Sequence, residues 1–239
     1  MHLNPDEVIA QGAAVQAALK ARDATLEEVV LTDVCPYSLG VEVASHVGGQ
    51  LQNGHYLPII ERNCVVPVSR VKSVQTLRDG QKHVNVRIFQ GESRLVANNI
   101  FLGELEVEVP PRPAGEVSLD IRFTYDINGL LEAQVDTLLT GQSQSLVIEN
   151  NPGVMTPEEI AERFSALQAL KTHPRDQQVN SALMARLERL YQESLGDLRE
   201  HVGVLAGHFS AVLERQDERE IREARAELLT RLNSIESGY

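Results

Sequence analysis

From Tyr37 to Ile148 apolar and polar residues alternate with a period of two. Leu39, Val41 and Val43 alternate with Gly40, Glu42 and Ala44; Val84, Val86 and Ile88 with His83, Asn85 and Arg87. Leu105, Val107 and Val109 alternate with Glu104, Glu106 and Glu108. Val117, Leu119, Ile121, Phe123 and Tyr125 alternate with Ser118, Asp120, Arg122 and Thr124. Neighbouring side chains of a strand point to opposite faces, so each set predicts a strand with one buried and one wet face. Turn signals fall between the sets. Asp79-Gly80, Asn128-Gly129 and Thr140-Gly141 read as hairpin dipeptides, and Pro110-Pro111-Arg112-Pro113 as a strand break. Roughly seven or eight short strands joined in this way predict an antiparallel sandwich.

After Asn150-Asn151-Pro152-Gly153 the period lengthens to that of a helix. Thr156 is placed to cap, Pro157 takes the first helical position, and Glu159 completes a capping box. Helical signal then runs to about Ser237, broken at His173-Pro174 and loosened at Gly196, Gly203 and Gly207. Leu183, Leu187, Leu190, Leu198, Val202, Leu205, Phe209 and Val212 form one apolar stripe; Ile221, Leu228, Leu232 and Ile235 form another. Such stripes predict the packing faces of a small bundle.

The first residues are different again. Asn4 is placed to cap, Pro5 to open a helix, and Asp6 and Glu7 to sit at the positive end of its dipole. A short amphipathic helix is expected over Asn4–Ala21. Its apolar face (Val8, Ala14, Val15, Ala18, Leu19) has nothing nearby in sequence to pack on and reads as the tail of a further domain. Val29-Val30-Leu31-Thr32-Asp33-Val34 then forms an apolar connection where linkers are usually polar.

Composition narrows the function classes. The 239 residues carry a net charge of −12, which disfavours nucleic acid, because phosphate binding needs a concentrated Lys/Arg surface. No apolar run reaches the length of a membrane span, and Met1-His2-Leu3-Asn4-Pro5 lacks the basic start of a secretion signal, so a soluble chain is expected. Aromatics make up only 4% of residues, so the core must be aliphatic. Cys35 and Cys64 fit no CxxC pattern; a disulfide is formally open to them, and two reduced buried thiols is the plainer reading. His201 and His208 could share a helix face, but no acidic or cysteine partner completes a metal site. No Gly-rich phosphate loop, HExxH or GxSxG motif occurs, and Glu104, Glu106 and Glu108 read as a solvated strand face. No catalytic or metal-binding residues are expected. A sandwich with exposed edges can instead capture an extended peptide by strand addition, or act as an adhesive module that oligomerises through its helices.

Val29-Val30-Leu31-Thr32-Asp33-Val34-Cys35-Pro36-Tyr37-Ser38-Leu39-Gly40-Val41-Glu42 resembles the interdomain linker and first strand of the DnaK-type seventy-kilodalton heat-shock chaperones. Ile60-Glu61-Arg62-Asn63 with Pro67, Phe89-Gln90-Gly91-Glu92, Leu102-Gly103 and Asn128-Gly129 follow in the same order. Asn4-Pro5-Asp6-Glu7 with Gly12-Ala13-Ala14 looks like the last helix of that family's ATPase domain. The similarity runs from about Asn4 to Ile160. Beyond it the likeness is to a helical lid in kind only, and that lid is short. Ser45–Tyr56 looks like an insertion in the first inter-strand loop. Both features suggest a divergent branch similar to the HscC-type homologues.

The resemblance implies a C-terminal, client-binding fragment of a cytoplasmic stress-response chaperone. Residues 1–28 would be the last helix of a truncated ATPase domain and 29–36 the interdomain linker, with Val29, Val30, Leu31 and Asp33 as its key positions. Residues 37–152 would be the β-sandwich peptide-binding domain and 153–239 the helical lid. Carried onto this sequence, Val41, Val74, Val84 and Val86 line a pocket, and Ala44 and Leu77 bridge the peptide. Val43, Gln75, Gln81 and His83 offer backbone hydrogen bonds. Val74 stands where DnaK has an aromatic, the bridge is reversed in size, Ala114 replaces a latch arginine with Arg112 nearby, and Asp79 matches the second latch acid. The implied partners are extended segments of unfolded proteins, a J-domain co-chaperone acting on the full-length protein and, through the linker, other copies of the chain; nucleic acid and membrane are not. The fragment itself is expected to hold no cofactor and no ATPase activity, while the full-length protein would use ATP with magnesium.

Overall fold

The computed structural model describes residues 33–47, 50–149 and 156–237, together with residues 10, 12–14 and 17. The chain divides into two compact units, Met1–Val34 and Cys35–Tyr239. In the first unit residues 10, 12–14 and 17 are helical; the rest of the helix expected over Asn4–Ala21, and the apolar segment Val29–Leu31, lie outside the described residues.

The second unit opens with two antiparallel four-stranded sheets. The strands are β1 (Leu39–Val47), β2 (Gln50–Ile60), β3 (Val68–Gln75), β4 (His83–Gln90), β5 (Ile100–Glu108), β6 (Ser118–Tyr125), β7 (Leu131–Thr137) and β8 (Gln142–Ile148). One sheet has the order β2-β1-β4-β5 and the other β3-β6-β7-β8. Their inner faces meet in an aliphatic core. Leu39, Val41, Ile59, Val86, Ile88 and Val107 come from the first sheet, and Leu119, Ile121, Phe123, Ala133 and Val135 from the second. This is the sandwich that the alternating pattern requires, with buried residues at every second position of β6 and β7.

Two expectations need correction. Asp79-Gly80 is a turn, with Gly80 at φ +66, but it closes no hairpin. β3 pairs with β6, and β4 with β1 and β5, so this turn carries the chain from one sheet to the other. A turn dipeptide specifies a local reversal; which strand lies alongside is decided by the inner faces that Val74 and Val86 must join. Ser45–Tyr56 does not enlarge a loop either, because β1 and β2 simply continue, pairing Ser45 with Gln52 and His46 with Leu51. These residues belong to a long pair of strands. Its register shifts at Leu39/Gly40 and again at Val43/Ser45. At the first shift a Cβ on Gly40 would run into the Leu57 carbonyl, so glycine is what lets the strands close.

The helical region follows the sequence signals closely. Thr156 caps α1 (Pro157–Ala166): the Glu159 amide donates to Thr156 Oγ1 at 3.3 Å and the Thr156 amide to Glu159 Oε2 at 2.8 Å. The break at His173-Pro174 becomes two 3-10 turns, Gln168–Lys171 and Pro174–Asp176. Then come α2 (Gln178–Glu193), α3 (Gly196–Arg215) and α4 (Glu218–Ser237). Both apolar stripes meet in one second core, with Leu187 and Leu232 fully enclosed. Gly203 does not loosen α3: it lies where the Tyr191 ring of α2 packs close, so a side chain there would press on that ring.

These helices dock on the sheet that contains β3, β6 and β7. Lys171 Nζ meets Glu132 at 2.7 Å, with both side chains largely withdrawn from water, and Arg163 lies 3.6 Å from the buried Asp126. At the turn between α3 and α4, Gln216 adopts a left-handed conformation (φ 55) and reaches the edge of β3. Val71 N–H donates to Gln216 Oε1 at 3.1 Å, and Gln216 Nε2 donates to the Val71 carbonyl at 2.8 Å. One side-chain amide thus satisfies the edge strand as a neighbouring strand would.

Candidate functional site

β1 and β4 begin as neighbours and then part. They pair only at Leu39–Gln90, Gly40–Phe89 and Val41–Ile88. β1 runs on against β2 as far as Val47, and β4 continues against β5. Extending the register would set Val43 opposite Val86 and Ala44 opposite Asn85, but no pairing exists there. The edge of β1 that faces β4 therefore has no strand beside it beyond Val41. Arg87 Nη1 binds Glu42 Oε2 at 2.7 Å where the strands diverge, joining the two side chains nearest the fork.

Beside this gap lies an open cleft of about 560 Å³. Val43 and Ala44 of β1, Leu57 and Asn53 of β2, Val84 and Asn85 of β4, and Ser73, Val74 and Gln75 of β3 contribute to its walls. Leu77 and Gln81, from the connection between the sheets, form a rim. Leu77 is 46% exposed, a large aliphatic side chain held at the surface. The rim is braced by polar bonds. Gln81 Oε1 accepts from the Leu77 amide at 3.2 Å, and Gln81 Nε2 donates to the His83 carbonyl at 2.9 Å. The Ala114 amide donates to Asp79 Oδ1 at 2.8 Å, and the Gly80 amide to the Arg112 carbonyl at 2.9 Å. Asp79, the residue matching a latch acid, here ties two loops of the sandwich together.

The ten residues expected to bind peptide are thus divided. Val43, Ala44, Val74, Gln75, Leu77, Gln81 and Val84 line one cleft. Val41 (0% exposed) and Val86 (3%) instead belong to the closed core, and His83 stands outside the lining with its imidazole 3.4 Å from Glu106. Glu42, Leu57, Asn53, Asn85, Ser73 and Ser118 line the cleft without having been singled out as binding residues. Leu57 could have been found from pairing, since it sits directly across from Val41. The cleft's lining residues all come from the sandwich, so among the described residues no helix covers it.

Within the cleft there is no pair of groups arranged for proton transfer, and among the described residues no cluster of His, Cys, Asp or Glu could hold a metal ion. No described helix is long and apolar enough to cross a membrane. Apolar walls, a polar rim and an open strand edge suit the capture of an extended chain.

A family model described as Hsp70 protein matches residues 1–237. The chain is 39% identical over 149 residues to the chaperone protein DnaK of Thermosipho melanesiensis, a match covering 61% of this chain and 24% of that protein. It is 40% identical over 149 residues to the chaperone protein DnaK of Thermosipho africanus, with the same shares covered. The chain spans about a quarter of the length of these curated relatives. A match along nearly the whole chain, on a sandwich followed by helices, settles the family: this is a DnaK-type member of the Hsp70 heat-shock chaperones.

Proposed function

We propose that this chain grips short, extended, apolar segments of unfolded proteins. The client strand lies in the gap between β1 and β4, and one apolar side chain enters the cleft. The observation that carries the reading is the parting of β1 from β4 after Val41, beside apolar walls open to the surface. A segment added there offers its own N–H and C=O groups to backbone that has no strand beside it. Val74 and Val84 receive the side chain, with Val41 and Val86 as the floor supplied by the core. Ala44 and Leu77 flank the client main chain, while Val43, Gln75, Gln81 and His83 present backbone groups. With valine at 74 in place of an aromatic, the pocket is broader and flatter than in DnaK.

The energetics suit a weak, reversible binder. One buried Leu-sized side chain contributes about 1.5–3 kcal/mol. Several backbone hydrogen bonds add about 0.5–1.5 kcal/mol each, and ordering the client costs about 2–5 kcal/mol. The balance corresponds to dissociation constants around micromolar.

The wider setting is part of the same proposal. Residues 1–28 close an ATPase domain, 29–36 link it to the sandwich of 37–152, and 153–239 form the lid. In the full-length cytoplasmic protein, ATP with magnesium binds in that ATPase domain and its hydrolysis supplies the free energy that alters client affinity. A J-domain partner would act on that step. Coupling through Val29, Val30, Leu31 and Asp33 must be reciprocal, so client binding alters nucleotide affinity by the same factor. The apolar linker can also enter the cleft of a second copy.

Val84→Phe tests the pocket. Filling it should weaken binding of a fluorescent Leu-rich heptapeptide by about tenfold or more, the equivalent of one lost buried side chain. The melting temperature should hardly move, because Val84 is only half-buried. Unaltered affinity would refute the pocket, and wild-type protein that shows no saturable binding, or no competition by a denatured protein, would refute the function.

A further inference from the structure

The two cysteines, nearly thirty positions apart in sequence, face each other in the fold. The Cys35 amide donates to the Cys64 carbonyl at 2.8 Å, and the Asn63 amide donates to the Cys35 carbonyl at 2.8 Å. Asn63 has φ 65, which makes this short antiparallel contact a bulge in which Cys35 opposes Asn63 and Cys64 together. Opposed residues of antiparallel segments have Cα atoms about 4.5–5.5 Å apart. That lies inside the range of about 4.4–6.8 Å over which disulfides form. Both thiols are free, and both pack on the sandwich core, Cys35 within it and Cys64 at its margin.

Their surroundings differ in a way that orders the chemistry. Cys64 lines two cavities, of about 490 and about 470 Å³, and is therefore reachable from solvent. Burial pushes its thiol up, and the Arg70 guanidinium, 3.8 Å from Sγ, opposes that push. Cys35 is 1% exposed and its Sγ–H donates to the Tyr37 carbonyl at 3.1 Å. Burial pushes that thiol up to about 11, with the neighbouring Cys64 adding to the rise.

We propose that Cys35 and Cys64 form an oxidative modification site, at which a small-molecule disulfide such as glutathione disulfide is exchanged for an intramolecular Cys35–Cys64 bond, with Cys64 reacting first. The Cys64 thiolate attacks one sulfur of glutathione disulfide, forming a mixed disulfide and expelling one glutathione thiolate, which takes up a proton. Cys35 then loses its proton to solvent and attacks Cys64 Sγ. The Cys35–Cys64 bond forms and the second glutathione leaves. Two protein thiols are oxidised and one glutathione disulfide is reduced to two thiols. The bond fixes the residue that follows the apolar 29–34 segment to the connection leading into β3. That strand holds both Val74 of the cleft and Val71 of the helix docking contact. The site does not depend on the peptide-binding reading.

The test uses the whole chain and glutathione disulfide, followed by intact mass, free-thiol titration and peptide mapping. Wild-type protein should lose both thiols, retain no glutathione, and yield a peptide joining positions 35 and 64. The rate should rise close to tenfold per pH unit between about pH 7 and 8.5, as expected of thiols that titrate above that range. Cys35→Ser should stop at one glutathione on Cys64, and Cys64→Ser should stay unmodified over the same interval. Glutathione added to Cys35 in Cys64→Ser at the wild-type rate would overturn the order of attack. The wild-type protein alone decides the pairing should a variant fail to fold. A folded wild-type chain that keeps glutathione on Cys64, or that links to a second chain through it, overturns the proposal.

Discussion

Replacing Gln216 by alanine removes the single amide that completes the edge of β3. Gln216 and Val71 are 4% and 6% exposed, so the Val71 N–H and C=O would be left with no protein partner in a largely buried setting. Each buried group stranded in this way costs about 1–3 kcal/mol. The cavity beside Gln216 admits water and holds the sum towards the lower half of that range, about 2–4 kcal/mol in all. The left-handed backbone at 216 separates this effect from strain. Gln216→Gly relieves the backbone by about 1 kcal/mol relative to alanine but deletes the same two bonds. Both variants should therefore loosen helix docking, glycine by less. Gln216→Glu keeps an acceptor for the Val71 amide but sets a carboxylate against its carbonyl, so it should not rescue. Hydrogen exchange at the Val71 amide reads this directly. A loss of about 2–4 kcal/mol accelerates exchange roughly thirty- to a thousandfold if it occurs by undocking. If Val71 exchanged at the same rate in wild type and Gln216→Ala, the amide would not be holding the helices to the sheet.

Acid should weaken the same docking region through His173. Burial and the neighbouring Arg175 and Arg122 hold its imidazole below its ordinary value, against the opposing pull of Glu214 and Asp176. Above about pH 6.5 both folded and unfolded states hold it neutral; below, the unfolded chain takes the proton first, so stability falls with a limiting slope of about 1.4 kcal/mol per pH unit. His173→Asn should flatten that slope in thermal melts between pH 7.5 and 5; an unchanged slope would assign it to other groups. Thr156→Ala removes half of the capping box and should cost about 0.5–2 kcal/mol of helix stability, seen as faster exchange in α1 alone. Arg87→Ala should weaken peptide binding only slightly, because Arg87 lies outside the cleft lining and its partner Glu42 is one polar position beside the apolar walls, whereas loss of all binding would make their pair an anchor for the client.

Elements whose apolar residues obey a single period were legible from sequence. β1, β4, β5 and β6 alternate cleanly because one face of each meets the core, and α1 announces itself through Thr156, Pro157 and Glu159. β3 was not legible. Val68, Val71 and Val74 recur every third residue because both faces of this strand are covered: Val68 and Val74 pack on the sandwich core, while Val71 is buried outside it. β2 was hidden by Pro58 and by a polar start, since its first residues have only β1 beside them. The cleft was half legible. The resemblance named Val41, Val74, Val84 and Val86 together, and alternation could not separate them, because it does not tell an inward residue at the mouth from one in the sealed interior, where Val41 and Val86 lie. The docking by Gln216 joins positions 145 apart, with no local pattern to mark it.

A sheet that forks in its middle has four borders where an ordinary one has two. Outer borders can be masked, as the Gln216 amide masks β3 in the other sheet, but an inner one that receives a client, as proposed, has to stay bare. Any stretched chain of suitable width can try it, including a partly unfolded sibling, so homotypic stacking is the hazard built into this architecture. Glu42 and Arg87 at the crotch of the fork, together with the acidic row Glu104, Glu106 and Glu108 on β5, the strand next to β4, give incoming copies a charged surface to meet. High salt, by muting that repulsion, should be the condition under which the protein first begins to assemble with itself.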